Sequence, residues 1–147
     1  MGLKSKDIGI AGEHLTMFDI VLQGYKCFKI EENLPFDLVM LDDDNKIYRI
    51  QVKSTIQRKR NYHTNNKISY CFAVTRQQRV MKKQIDSKST EEHKENLYDK
   101  TDFDILALVA IKLKKVFYMK HEDLKLKYVS LDGTEDMHLN ECLYQGV

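Results

Sequence analysis

The sequence predicts an α/β domain built on a mixed sheet, and three stretches carry that prediction. Residues 6–23 repeat apolar side chains at helical spacing, residues 35–53 read as two strands around an acidic turn, and residues 104–111, DILALVAI, form an apolar run of strand length suited to burial on both faces. With 147 residues, 42% of them hydrophobic and 31% charged, the chain is long enough for one core. A single domain over residues 1–147 is expected.

In the first helix, Lys6 to Gln23, the apolar stripe is Ala11, His14, Leu15, Phe18, Val21 and Leu22. Glu13 flanks that stripe, one turn from Ile10 and Met17, and a partly buried carboxylate there requires a cationic partner. That partner is either a functional cation or Lys53, or else Lys6 or another surface base. His14 reads as packing or surface. Gly24 is placed to end the helix in the left-handed conformation, and Lys26 to Ile30 follows as a strand. The hairpin then runs from Asp37–Leu41 through Asp42-Asp43-Asp44-Asn45, whose side chains bond back to their own backbone, into Ile47–Lys53.

Beyond the hairpin, residues 57–63 read as a basic loop, Asn65-Asn66 as a turn and Lys67–Val74 as a strand. The segment around Arg76 to Ile85 is either a basic contact element or a short surface helix or linker, and residues 87–96 are an exposed loop or frayed helix. The apolar run at 104–111 pairs with Val116–Met119 across a turn at Lys114-Lys115. A short helix at His121–Leu124, a strand at Tyr128–Leu131 and a turn at Asp132-Gly133 complete the pattern. The half-apolar tail, with Met137, Leu139, Leu143 and Tyr144, packs on the domain or on a second subunit.

The hairpin carries the chemistry. Side chains alternate along a strand, so Ile50 and Val52 face one way while Arg49, Gln51 and Lys53 face the other. With Asp37 on the neighbouring strand, a carboxylate, an amide oxygen and an ammonium gather at one point. Mg²⁺ takes such hard oxygen ligands, usually one or two carboxylates completed by water and substrate phosphate oxygens. Asp37 would be the principal ligand and Gln51 a carbonyl ligand, with Glu13 an outer ligand or the group that orients a second metal or Lys53. Lys53 would orient or deprotonate the attacking water, or stabilise charge on the phosphate.

Asp37 followed by Gln51-Val52-Lys53 resembles the PD-(D/E)xK nuclease motif, with Pro35-Phe36-Asp37 standing for its "PD" and Gln51-x-Lys53 for its "(D/E)xK". Gly12-Glu13 on the first helix and Gly24-Tyr25 after it extend the match, which is detailed over residues 9–55 and only outlined after residue 100. Phe36 separates Pro35 from Asp37, and Gln51 replaces the usual acid. Archaeal-type Holliday-junction resolvases share the layout of helix Glu, hairpin Asp, acidic residue and Lys. The glutamine is similar to that of cyanobacterial group I intron homing endonucleases, which cut long DNA sites as homotetramers. The resemblance implies a restriction-endonuclease-like core, a central mixed β-sheet flanked by helices. It also implies a site-specific, Mg²⁺-dependent endonuclease acting on double-stranded DNA, with catalytic residues Glu13, Asp37, Gln51 and Lys53 and metal ligands Asp37, Gln51 and Glu13. A junction resolvase and a non-catalytic DNA-binding module of the same fold are the alternatives. Cutting two strands requires two active sites, so a homo-oligomer, dimer or tetramer, is expected.

Charge distribution supports a nucleic-acid partner. Net charge is only +2, yet no acidic residue occurs between Asp44 and Asp86, a stretch rich in Lys and Arg. The expected DNA contacts are Ser54, Thr55, Arg58, Lys59, Arg60, Arg76, Arg79, Lys82 and Lys83. Other chemistries lack support: there is no Gly-rich phosphate loop, no His/Cys cluster at zinc spacing and no local hydrolase signature. Cys27, Cys71 and Cys142 read as reduced thiols. No apolar run reaches the ~20 residues needed to span a bilayer, and the Met-Gly-Leu-Lys start lacks a signal-peptide core, so an intracellular protein without a membrane partner is expected.

Overall fold

The computed structural model describes residues 2–31, 33–61, 67–83, 89–99 and 101–143, with backbone alone for residues 61, 76–83 and 89–97. Helix α1 (Ser5–Leu22) opens the chain. Its first turn is closed by Asp7, whose carboxylate accepts the Lys4 N–H at 3.2 Å. It ends at Gly24, where a φ of +97° lets the Gly24 and Tyr25 amides bond back to Val21 and Ile20.

Strands β1 (Lys26–Lys29), β2 (Leu38–Leu41) and β3 (Ile47–Thr55) form an antiparallel meander. Asp42 makes the tight turn between β2 and β3, its Oδ1 accepting the amides of Asp44 and Lys46 at 2.9 Å each, with Asn45 left-handed. Strand β3 then pairs in parallel with β8 (Ile105–Ala110), and β8 pairs antiparallel with β9 (Lys115–Lys120). The result is a five-stranded mixed sheet in the order β1-β2-β3-β8-β9. Every residue of β8 is buried, as a central strand requires.

Among the described residues the rest of the chain supplies two further sheets. Strands β4 (Lys59–Asn61), β5 (Lys67–Ala73) and β10 (Tyr128–Leu131) form a small antiparallel sheet, so part of the expected basic loop at 57–63 is extended and paired. Strands β6 (Thr75–Lys83) and β7 (Ser89–Leu97) form a ribbon of nine register pairs, roughly 30 Å long. This corrects the expected helix or linker at 76–85 and the expected loop or frayed helix at 87–96. Nearly apolar-free strands carry no period-two signal, and their pairing is satisfied by the backbone ladder. The expected Asn65-Asn66 turn lies outside the described residues.

One face of the main sheet packs on α1 and the C-terminal turn at Leu139–Cys142, around Ile20, Leu38, Met40, Ile50, Val52 and Tyr118. The other face packs on β5 and β10, around Tyr70, Phe72, Phe103, Leu106, Leu108 and Phe117. Among the described residues a small sheet, rather than a further long helix, thus covers this second face. The described part of the tail packs on the core at the α1 face, since Leu139 and Cys142 are buried there.

Helix α1 is rotated from the expected stripe. Its buried residues are Gly12, Thr16 and Ile20, whereas Phe18, Val21 and Leu22 are exposed at 65%, 56% and 73%. The cause is close packing on β3: a methyl at Gly12 would overlap the Ser54 Oγ and lie 2.8 Å from its Cβ. Small residues at i and i+4 bring the backbone of α1 onto the sheet, and Thr16 satisfies its hydroxyl internally, donating to the Gly12 carbonyl at 2.8 Å.

Candidate active site

Asp37 lies immediately before β2. The β2–β3 register pairs Leu38 with Ile50, so its continuation sets Asp37 opposite Gln51. The Asp37 N–H donates to the Ile50 carbonyl at 2.8 Å, its own carbonyl accepts from the Ile30 N–H at 2.9 Å, and its Oδ2 accepts the Val52 N–H at 2.9 Å. The aspartate is therefore clamped to the backbone on both sides, while Oδ1 has no hydrogen-bond donor among the described residues.

Glu13 approaches from α1. Its Oε2 pairs with the Lys29 Nζ at 3.2 Å, with the glutamate side chain 20% exposed and the lysine 49% exposed. The surface base that partners Glu13 is thus Lys29 rather than Lys6. Glu13, Lys29 and Asp37 line one open cleft of about 690 Å³, together with Lys6, Asn33 and Phe36. Their fields meet at Asp37: burial lifts its carboxyl above the ordinary range, the Val52 amide offsets part of this, Glu13 raises it further, and Lys53 and Lys29 lower it. Of the four expected catalytic residues, Glu13 and Asp37 line this cleft, Gln51 lies opposite Asp37 in strand register, and the Lys53 charge acts on Asp37.

Gln51 and Lys53 pair in register with Leu106 and Leu108 of the second core, so they project from the sheet face opposite α1. Gln51 is buried, with only a long 3.4 Å contact from its Nε2 to the Val52 carbonyl, and its Oε1 accepts no hydrogen bond among the described residues. Lys53 is half-buried, its Nζ lying 5.4 Å from the Tyr98 ring centroid. Lys29 is the site neighbour that sequence reasoning left unused, and Tyr98, which could face the substrate or serve in a turn, lies beside Lys53. Lys29 has a legible signal only after pairing, since it lies opposite Leu38 and so beside Asp37.

The expected DNA contacts divide. Arg58, Lys59 and Arg60 are exposed at the start of β4, and Thr55 is half-buried at the end of β3. Arg76, Arg79, Lys82 and Lys83 lie on β6, and their side chains are outside the described residues. The Ser54 hydroxyl is buried against Gly12 with no hydrogen-bond partner among the described residues, on the side that faces α1.

The family model for the PD-(D/E)XK endonuclease matches residues 3–137, which span this whole arrangement. The chain belongs to the PD-(D/E)XK endonuclease family. Among solved structures, that of a bacterial homing endonuclease, I-Ssp6803I, aligns with a TM-score of 0.62 and 16% sequence identity over 93% of this chain and 84% of that one. At that identity the likeness shows the shared fold. No curated protein matches the chain. Members of this nuclease family generally use divalent metal ions, and the donor set fits one: the free Asp37 Oδ1, the Glu13 carboxylate and the Gln51 amide oxygen are hard oxygen ligands. The burial that raises Asp37 is the kind of cost a bound cation would offset.

Proposed function

We propose that this PD-(D/E)XK endonuclease is a site-specific, Mg²⁺-dependent nuclease of homing type that hydrolyses phosphodiester bonds in double-stranded DNA. The observation that carries the proposal is the half-free Asp37 carboxylate, fixed opposite Gln51 and acted on by Glu13 and Lys53 together. Asp37, Gln51 and Glu13 would hold the ion, which when bound supplies Lewis-acid stabilisation of the phosphate. Lys53 orients water for in-line attack and neutralises charge on the scissile phosphate. Lys29 pairs with the Glu13 carboxylate, which would be shared between this lysine and a bound ion.

Arg58, Lys59 and Arg60 and the basic strand β6 would track the DNA backbone, and a two-stranded ribbon has the width to enter a major groove. Homing-type action is favoured by Gln51 at the acid position and by the structural likeness to a homing endonuclease. A homo-oligomer fits this reading, because two strands need two sites and the exposed Phe18, Val21 and Leu22 form an apolar face on α1.

The test offers the protein, with Mg²⁺, a four-way junction and linear duplexes from its source genome, with Lys53→Ala as the control for contaminating nuclease. Discrete cleavage of one duplex by the parent alone is expected. Symmetrical nicking of the junction alone would make the protein a resolvase, and tight binding without cutting by either substrate would make it a DNA-binding module.

A further inference from the structure

Lys53 emerges on the sheet face opposite α1, and among the described residues none of the acids of the cleft forms an ion pair with it. A four-carbon chain there has several rotamers to choose from, and attack geometry tolerates few of them. What faces its ammonium is the ring of Tyr98, 5.4 Å from Nζ to centroid, within the range over which a cation is attracted to an aromatic face. Tyr98 is itself held. Its ring packs edge-on against Phe103 with centroids 5.0 Å apart, and its carbonyl is 3.2 Å from the His121 Nε2. Phe103 is fully buried and also stacks against His121 at 4.8 Å, so the platform is anchored in the second core.

We propose that Tyr98 is a positioning residue for Lys53: its aromatic face fixes the ammonium beside Asp37 and Gln51. The inference rests on the role proposed above for Lys53, and it adds a residue that lies 45 positions away, just after the last strand of the β6–β7 ribbon. The aromatic ring, not the phenol hydroxyl, does the positioning, and this separates the role from ordinary hydrogen bonding.

The experiment compares Tyr98→Phe and Tyr98→Leu with the parent by single-turnover cleavage, by DNA affinity in Ca²⁺, and by the NMR shifts of the Lys53 ε-methylene, assigned with Lys53→Arg. The ring-current shift of that methylene is expected in the parent and in Tyr98→Phe and to vanish in Tyr98→Leu. Tyr98→Leu should lower the cleavage rate roughly 5- to 30-fold, the worth of a partly desolvated cation–π contact, with DNA affinity unchanged, and Tyr98→Phe should restore the parental rate. An absent ring-current shift in the parent, or a Tyr98→Leu protein that cuts at the parental rate, overturns the inference. A loss of rate in Tyr98→Phe equal to that in Tyr98→Leu overturns it as well. If the parent does not cut at all, the nuclease reading fails, and the methylene shift still decides whether the ring holds the lysine.

Discussion

Two aspartates flank β3 in nearly the same way and end in opposite electrostatic states. Asp37 precedes β2 and Asp104 precedes β8, the two strands that sandwich β3. Each accepts a β3 amide through Oδ2: Val52 N–H at 2.9 Å for Asp37 and Arg49 N–H at 2.8 Å for Asp104. Asp104 also takes a fork from the Arg49 guanidinium, with Nε at 3.1 Å and Nη2 at 3.0 Å. Burial alone would raise its carboxyl, but these bonds and the Arg49 charge outweigh it and hold the group below the ordinary range. Asp37 has no such fork among the described residues, and burial first, then the Glu13 carboxylate, raises it. One end of β3 is a finished structural pair and the other is an unfinished one. On the proposed reading the Asp37 end would take a cation, and a fold that neutralised Asp37 as completely as Asp104 would leave no room for one.

The largest effect that would break this contrast is catalytic. Asp37→Asn keeps an acceptor for Val52 but loses the charge, and should lower duplex cleavage by at least roughly 10³-fold, whereas Asp104→Asn, assayed well below its melting temperature, should cut within a few-fold of the parent. Equal losses in a cleavage assay would erase the distinction.

Next comes the placement of Glu13. Gly12→Ala drives a methyl into Ser54, so α1 must lift from β3 and carry Glu13 with it. Denaturant unfolding should show a loss of roughly 2–3 kcal/mol. Adding Ser54→Gly should recover most of it, since the two changes share one contact.

The structural pair is expected to cost about as much when broken. Asp104→Asn should destabilise the fold by roughly 2 kcal/mol, or about 4–8 °C in melting temperature. Because the Asp104 carboxyl is lowered in the folded state, its contribution is fully present above the ordinary value of about 3.9 and is lost as pH falls through the lowered one. The stability difference between parent and Asp104→Asn should therefore shrink on acidification, and a difference constant down to the acid limit in melts would contradict the pairing.

The smallest effect has the opposite sign. A raised carboxyl opposes folding increasingly as pH rises past its ordinary value, and fully above its raised one, so without metal Asp37→Asn should melt slightly higher than the parent at neutral pH, with the gain disappearing in acid. Calorimetric scans in a chelating buffer would read it.

What the sequence disclosed follows the same division. The meander and β8 were legible because their apolar and turn residues are local signals, and the Asp37, Gln51 and Lys53 group was legible because strand register alone brings it together. The face of α1 was misread, since Gly12 and Thr16 pack by being small, and apolar periodicity ranks Phe18 and Val21 above them. The β6–β7 ribbon was missed for want of any apolar alternation. Lys29 and Tyr98 join the site only through tertiary contact, and nothing in the residues beside them marks that.

The central claim, that the unfinished end of β3 is a cation site, is tested most directly by thermal unfolding of the parent, Asp37→Asn and Asp104→Asn across a Mg²⁺ titration. At ten times the dissociation constant a bound ion adds about 1.4 kcal/mol. The parent and Asp104→Asn should both gain a few degrees of melting temperature while Asp37→Asn gains none. A Mg²⁺-dependent gain in Asp37→Asn equal to the parent's would mean that the ion does not bind at Asp37.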